Sequence, residues 1–145
     1  MIFDQVSVYV WAIVIAWTSA HLIKYAVALA KGTQLGFKKQ IFVSGGMPSA
    51  HMSTVAALWT VILLTDGVSS GLFGVITLFA LIVAHDAVRV RRSSGEQGAV
   101  VIGLMRASGS KLPEPRVSKG HSVPEVVVGA VFGILVGTVV FFIAQ

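Results

Sequence analysis

Cysteine is absent from the 145-residue chain, which excludes disulfides and thiolate zinc sites. Charge is scarce too: Asp, Glu, Lys and Arg make up 12% of the residues, against roughly 25% in an ordinary soluble domain. So few charges cannot clothe a surface that meets water on every side. Acids are the rarer sign, six against eleven bases, for a formal net charge of +5. The bases form neither a tail nor a stretch interleaved with aromatics, so nucleic acid is not an expected partner. The opening residues Met1-Ile2-Phe3-Asp4 lack the basic stretch of a secretory signal, and no small-residue cleavage site follows the first apolar run. That run is expected to stay in place as a membrane helix.

What the chain does have is apolar length. Hydrophobic residues make up 55%, gathered into runs at about 6–30, 48–64, 72–88 and 123–143, the first interrupted by His21 and Lys24. A helix needs roughly 17 to 25 residues to cross the hydrocarbon core. The expected fold is all-α: one domain over residues 1–145, a polytopic membrane helical bundle with about four transmembrane helices. Residues 65–71, Thr-Asp-Gly-Val-Ser-Ser-Gly, have turn chemistry throughout, so the second and third helices should form an antiparallel hairpin. Residues 31–47 form a polar link. Residues 89–122 form the longest and most charged connection, and within them 99–105 is an apolar stretch too short to span. It is expected to be a short interfacial or re-entrant segment.

Four crossings put the links 31–47 and 89–122 on the same side of the bilayer. Every lysine and arginine lies on that side: Lys24, Lys31, Lys38, Lys39, Arg89, Arg91, Arg92, Arg106, Lys111, Arg116 and Lys119. The other side has Asp4, Asp66 and no cation. The positive-inside rule then makes the basic face cytoplasmic and leaves both termini outside, in a cell's inner (plasma) membrane.

All four histidines, His21, His51, His85 and His121, fall on the basic side as well, with Asp86, Glu96, Glu114 and Glu125. Ionisable groups at membrane depth are costly and point to function. Lys24 lies about a turn and a half from the end of the first run; it either snorkels to the interface or binds an anion. In Ser44-Gly45-Gly46-Met47-Pro48-Ser49-Ala50-His51, two glycines precede a proline suited to the first helical position. Ser49 and His51 would then lie in a first turn whose free N–H groups attract phosphate. An ordinary helix start explains the glycines and proline but not the histidine. In Asp86-Ala87-Val88-Arg89-Val90-Arg91-Arg92-Ser93-Ser94-Gly95-Glu96-Gln97 the arginines either fork onto phosphate or stop transfer into the membrane. Asp86 could orient a base, pair with an arginine or ligate a metal. His121 and Glu125 are four apart and would share one helix face. A carboxylate there fixes the tautomer of an imidazole and raises its basicity, although such pairs also serve as helix-end contacts. Gly129, Gly133 and Gly137 recur every fourth residue, a stripe for close helix packing.

Taken in order, Lys24, the Gly45-Gly46-Met47-Pro48-Ser49-Ala50-His51 block, Asp86-Ala87 with Val90-Arg91-Arg92 and Gly95-Glu96-Gln97, and Gly120-His121 with Glu125-Val126 resemble the divergent type-2 phosphatidic acid phosphatase family. That family is distantly related to acid phosphatases and vanadium-dependent haloperoxidases. The resemblance implies a lipid phosphate phosphatase working without a metal or other cofactor. By motif, Lys24, Ser49, Arg91 and Arg92 would bind phosphate, His51 would be the general acid, His121 the nucleophile and Glu125 its orienter, with Asp86 and Glu96 in support. Implied substrates are phosphatidate, phosphatidylglycerophosphate or an isoprenoid phosphate. Two other readings stay open. Asp86, Glu96 and a histidine could hold a divalent ion for phosphoryl transfer, or the same cations could bind anionic lipid without turnover, as a binding or transport subunit. Four helices are fewer than the six usual in the wider superfamily, so a homodimer could complete the bundle.

Overall fold

A chain in hydrocarbon has no water to satisfy its peptide groups, so its apolar runs must become helices. The computed structural model describes residues 7–30, 32, 36, 45–115, 117–118 and 120–145. Lys31, Lys38, Lys39, Arg116, Lys119, Asp4 and Ser44 lie outside the described residues. The helices are α1 (Val8–Ala30), α2 (Ala50–Asp66), α3 (Gly71–His85), α4 (Arg91–Ala107) and α5 (Val123–Ile143), with a π-helical turn at Asp86–Val90 joining α3 to α4. All regular structure among the described residues is helical. Three helical bodies are long and apolar enough to cross a membrane: α1, the continuous Gly71–Ala107 helix, and α5; α2, at 17 residues, is a shorter apolar helix. This is the helical membrane bundle the apolar runs imply.

The sequence placed a loop where the helix in fact continues. Helix runs unbroken through the arginines to Ala107, and the described residues between Ala107 and Val123 are non-helical. The expected interfacial or re-entrant stretch 99–105 is the closing part of α4. Starting a helix is costly and extending one is cheap, so α3 carries the polar, glycine-containing segment with it. The continuous helix has 37 residues; at about 1.5 Å per residue it measures about 56 Å, nearly twice a hydrocarbon core of about 30 Å. Its first 20 residues suffice to cross. Pro48 is also displaced from its expected role: α2 begins at Ala50 with Ser49 as its N-cap, so the proline precedes the cap.

Helix α2 sits at the centre, packed on α5, α1 and α3, and α1 also touches α5. Ala12 and Ala16 of α1 meet Ala57 and Val61 of α2 and Val140 of α5 in one cluster; Val55 and Ile62 of α2 meet Ile76 of α3 in another. The α5 glycine stripe sets the closest approach. A Cβ at Gly129 would come within 2.8 Å of the Ser49 carbonyl oxygen, one at Gly137 within 2.5 Å of the Ala57 oxygen, and one at Gly133 would overlap the Ser53 oxygen. The stripe is therefore a packing device, and it fixes the start of α2 beside the start of α5. The hairpin is tied by Trp59 Nε1–H donating to Thr77 Oγ1 at 2.9 Å. Helix α3 buries Ile76 alone and leaves Leu72, Val75, Leu78, Phe79, Leu81 and Ile82 exposed. In a bilayer that surface faces lipid.

Beyond α4 the chain doubles back along it. Arg106 makes a two-pronged pair with Glu114, at 2.7 and 3.1 Å. Val117 lies over Gly98, and Gly120 over the backbone of Arg91 and Arg92. The His121 N–H then donates to the Ala87 carbonyl of the π turn at 3.0 Å. This returning segment delivers His121 to the bundle.

Candidate functional site

Four pieces of chain converge where α5 begins. From α1 comes Lys24, a cation only 7% exposed. Gly46 lies directly over its side chain: a Cβ there would stand 3.2 Å from Lys24 Cε, and its φ of +87° is one that L side chains rarely adopt. Snorkelling to water does not describe this lysine. From the start of α2 come Ser49 and His51. Ser49 is fully buried, and its N–H donates to the Glu125 carbonyl at 3.3 Å. Its Oγ, in contrast, has no hydrogen-bond partner among the described residues. A buried hydroxyl left unpaired costs roughly 1 to 3 kcal/mol, which a bound polar ligand would offset. His51, two residues on, is exposed.

From the π turn and α4 comes Arg91, whose Nε donates to Asp86 Oδ2 at 2.6 Å. Of the roles open to Asp86, pairing with an arginine is the one seen. From the returning segment comes His121, 7% exposed. Its Nδ1 stands 3.1 Å from Glu125 Oε2, and the same oxygen accepts the Ser122 N–H at 3.1 Å. The expected pair thus forms, but as a helix-start arrangement: His121 precedes α5 by two residues and Glu125 closes its first turn. Two donors on one oxygen fix the carboxylate, and the carboxylate fixes the ring. With Nδ1–H donated to Glu125, the lone pair is left on Nε2. Burial pushes the His121 imidazole below the ordinary histidine range, against the opposing pull of Glu125.

Electrostatic reach joins these groups. His121 feels Glu125, Lys24 and Arg91; His51 feels Arg91, His121, Lys24 and Asp86; Lys24 feels Glu125. The structure therefore brings together Lys24, Ser49, His51, Asp86, Arg91, His121 and Glu125. It does not bring Arg92 and Glu96 to them. One residue along a helix turns about 100°, and Arg92 points elsewhere, its Nε 3.2 Å from Glu96 Oε1, both side chains well exposed. The carboxylates of the metal reading are thus each paired with an arginine, and no group of three His, Asp or Glu side chains suited to a metal ion occurs among the described residues.

Three contributors are named in the sequence without a role. His21 is buried, its ring 4.5 Å from that of Trp17, and it lies within electrostatic reach of Lys24 and His51. Its spacing of three from Lys24 is the signal that puts both on one helix face. Gly120, at φ +66°, sits where a Cβ would come within 2.7 Å of the Arg92 nitrogen. Ala87 offers the carbonyl that anchors His121, and nothing in its side chain announces that.

The chain is a helical membrane bundle that gathers His51, His121, Lys24 and Arg91 at one end. The comparisons narrow the class. The divergent PAP2 family matches residues 6–136, nearly the whole chain, and the chain belongs to that family. It is 35% identical over 114 residues to the uncharacterized membrane protein YuiD of Bacillus subtilis (strain 168), covering 68% of this chain and 72% of that one. No solved structure matches the chain significantly.

Proposed function

We propose that the protein is a lipid phosphatase that releases phosphate from a phosphomonoester of a membrane lipid through a phosphohistidine intermediate. The observation that carries this reading is the buried His121, oriented by Glu125 and held in electrostatic reach of Lys24 and Arg91. Lys24, Arg91 and Ser49 hold the phosphate, and Asp86 positions Arg91. His121 Nε2 forms a bond to phosphorus as the ester P–O bond breaks, and the departing alkoxide takes a proton from His51. Water then attacks the phosphohistidine, gives its proton to His51, and frees His121 and phosphate. Splitting the displacement lowers each barrier, and fixed cations stabilise charge spread over the phosphoryl oxygens. Arg92 and Glu96 stand outside this machinery.

The basic side carries the site, which we assign to the cytoplasmic face by the positive-inside rule. The substrate class is phosphatidate, phosphatidylglycerophosphate or an isoprenoid phosphate. The test is phosphate release from each lipid by detergent-purified protein with a chelator present. His121→Ala should lower turnover at least about a thousand-fold without changing the helical content. Undiminished turnover in that variant removes His121 as nucleophile. Loss of turnover with chelator alone points to a metal, and tight lipid phosphate binding with no product points to a binding subunit. Because the chain has no cysteine, single introduced cysteines report the sidedness of residues 108–115 directly.

A further inference from the structure

Arg89 and Arg92 fall outside the histidine cluster, yet they line a cavity of about 650 Å³ together with Val88, Ser93, Glu96 and Val123. Positions 88, 89, 92, 93 and 96 form one face of the helix that runs through the π turn into α4. Val123 is the first residue of α5. The level of this cavity follows from helix length. Gly71 to Val90 is 20 residues, about 30 Å of helix, the thickness of the hydrocarbon core. α5, with 21 residues, begins at Val123, so both helices reach the interface where the cavity lies. Val88 and Val123 line the cavity with the arginines, and Val123 is 58% exposed, which places apolar surface beside the cations. Arg89 is exposed and makes no ion pair among the described residues. Among the described residues Arg92 pairs with Glu96 in an exposed contact, a kind of pair worth little in itself.

We infer that this cavity is a second lipid site, one that takes the phosphodiester headgroup of an anionic phospholipid while the acyl chains lie along Val88 and Val123. The charge argues for a diester. Two arginines and one glutamate sum to +1, which matches the single negative charge of a phosphodiester and not the near-dianion of a monoester. The volume fits a headgroup, within the roughly 300 to 1,000 Å³ usual for small-ligand sites. Arginine's planar fork suits phosphate oxygens, and Glu96 and Ser93 are placed to hydrogen-bond headgroup hydroxyls. The site would hold a structural or regulatory lipid beside the reaction centre without taking part in turnover.

The test uses the whole protein reconstituted in phosphatidylcholine vesicles with spin-labelled phosphatidylglycerol or spin-labelled phosphatidylcholine as probe. The readout is the fraction of probe immobilised on the protein. The wild type should select phosphatidylglycerol over phosphatidylcholine several-fold. Arg89→Gln with Arg92→Gln should bring that preference close to one, and Glu96→Gln, which adds net positive charge without removing a donor, should raise it. A preference unchanged in both variants overturns the assignment. So does displacement of the probe by millimolar inorganic phosphate, which would give the cavity to a soluble anion. If the double variant is poorly folded, Glu96→Gln alone still decides the matter. The readout needs no turnover, so it stands or falls apart from the hydrolase reading.

Discussion

The inner junction of α2 with α5 and the outer arm of α4 with its returning segment are built from similar materials to different ends. Both use glycine to bring one piece of chain onto another. At the junction the neighbour is backbone: the Ser49, Ser53 and Ala57 carbonyls lie against Gly129, Gly133 and Gly137. On the arm, at Gly98, it is the far end of the Val117 side chain. Backbone in a helix cannot yield, whereas a side chain on an exposed segment can. The junction is therefore rigid and carries the polar cluster, and the arm is a strap that delivers one residue, His121, to it.

The largest effect should come from breaking the junction. Gly133→Leu puts a side chain into the Ser53 carbonyl and forces α2 from α5. Overpacking of this kind typically costs about 1 to 3 kcal/mol and more where nothing can move. We expect loss of a cooperative thermal transition in detergent and of all phosphate release. Gly98→Leu, its counterpart on the arm, should leave the transition nearly in place, because Val117 and the returning segment can shift. Equal damage from the two substitutions would erase the distinction between junction and arm.

Gly120 joins the regions and should show an intermediate effect. Gly120→Ala must hold a left-handed φ of +66°, which costs about 1 to 2 kcal/mol, and its Cβ presses on the Arg92 nitrogen. A catalytic group displaced by about 1 Å can cost about a hundred-fold in rate. Turnover should therefore fall far more than thermal stability. A parallel loss of both would make Gly120 a folding residue only.

Proton uptake separates the regions at the next level down. Burial holds the folded-state pKa of His121 below its unfolded value, which is about 6.5. The unfolded chain then binds the proton more readily. The stability this group contributes is fully present above about pH 6.5 and is lost as pH falls through the folded value. In the rate, the acidic limb should lie below about pH 6.5. Glu125→Gln removes the carboxylate that pulls the pKa up, so it should move that limb further toward acid while lowering the plateau. A limb that moves toward neutrality would show that Glu125 does not act on His121.

The same contrast explains what could be read in advance. The apolar runs at the junction announce themselves: the expected 123–143 is the observed α5, and the expected 48–64 lies two residues from α2. The glycine stripe reads as packing because membrane helices reward small residues at four-residue spacing. The arm hides its structure. Arg91 to Gly98 contains two glycines and few apolar residues, so it has no hydrophobic period, and only the preceding helix makes it helical. The Arg92 and Glu96 pair at four-residue spacing was the local sign available. Motif order grouped Arg92 with Arg91, but adjacent residues on a helix face different ways, and only the backbone phase through the π turn shows which of them faces His121. The link from His121 to the Ala87 carbonyl is equally invisible, because a backbone acceptor has no residue type.

The smallest effect should come from the far end of the arm. Arg106 and Glu114 make two hydrogen bonds, and the contact raises the pKa of the guanidinium and lowers that of the carboxyl. Water surrounds the pair, with side chains 70% and 47% exposed, and salt screens exposed charges beyond about 10 Å at 0.1 M ionic strength. Arg106→Ala should leave both the thermal midpoint and the rate unshifted. It should speed proteolytic cleavage within residues 108–115, because the turn loses its clasp. The acceleration should shrink at high salt, where the wild-type pair is itself weakened. A drop in turnover instead would mean that the clasp sets the position of His121 from the far end of the returning segment, and the arm would then share the rigidity of the junction.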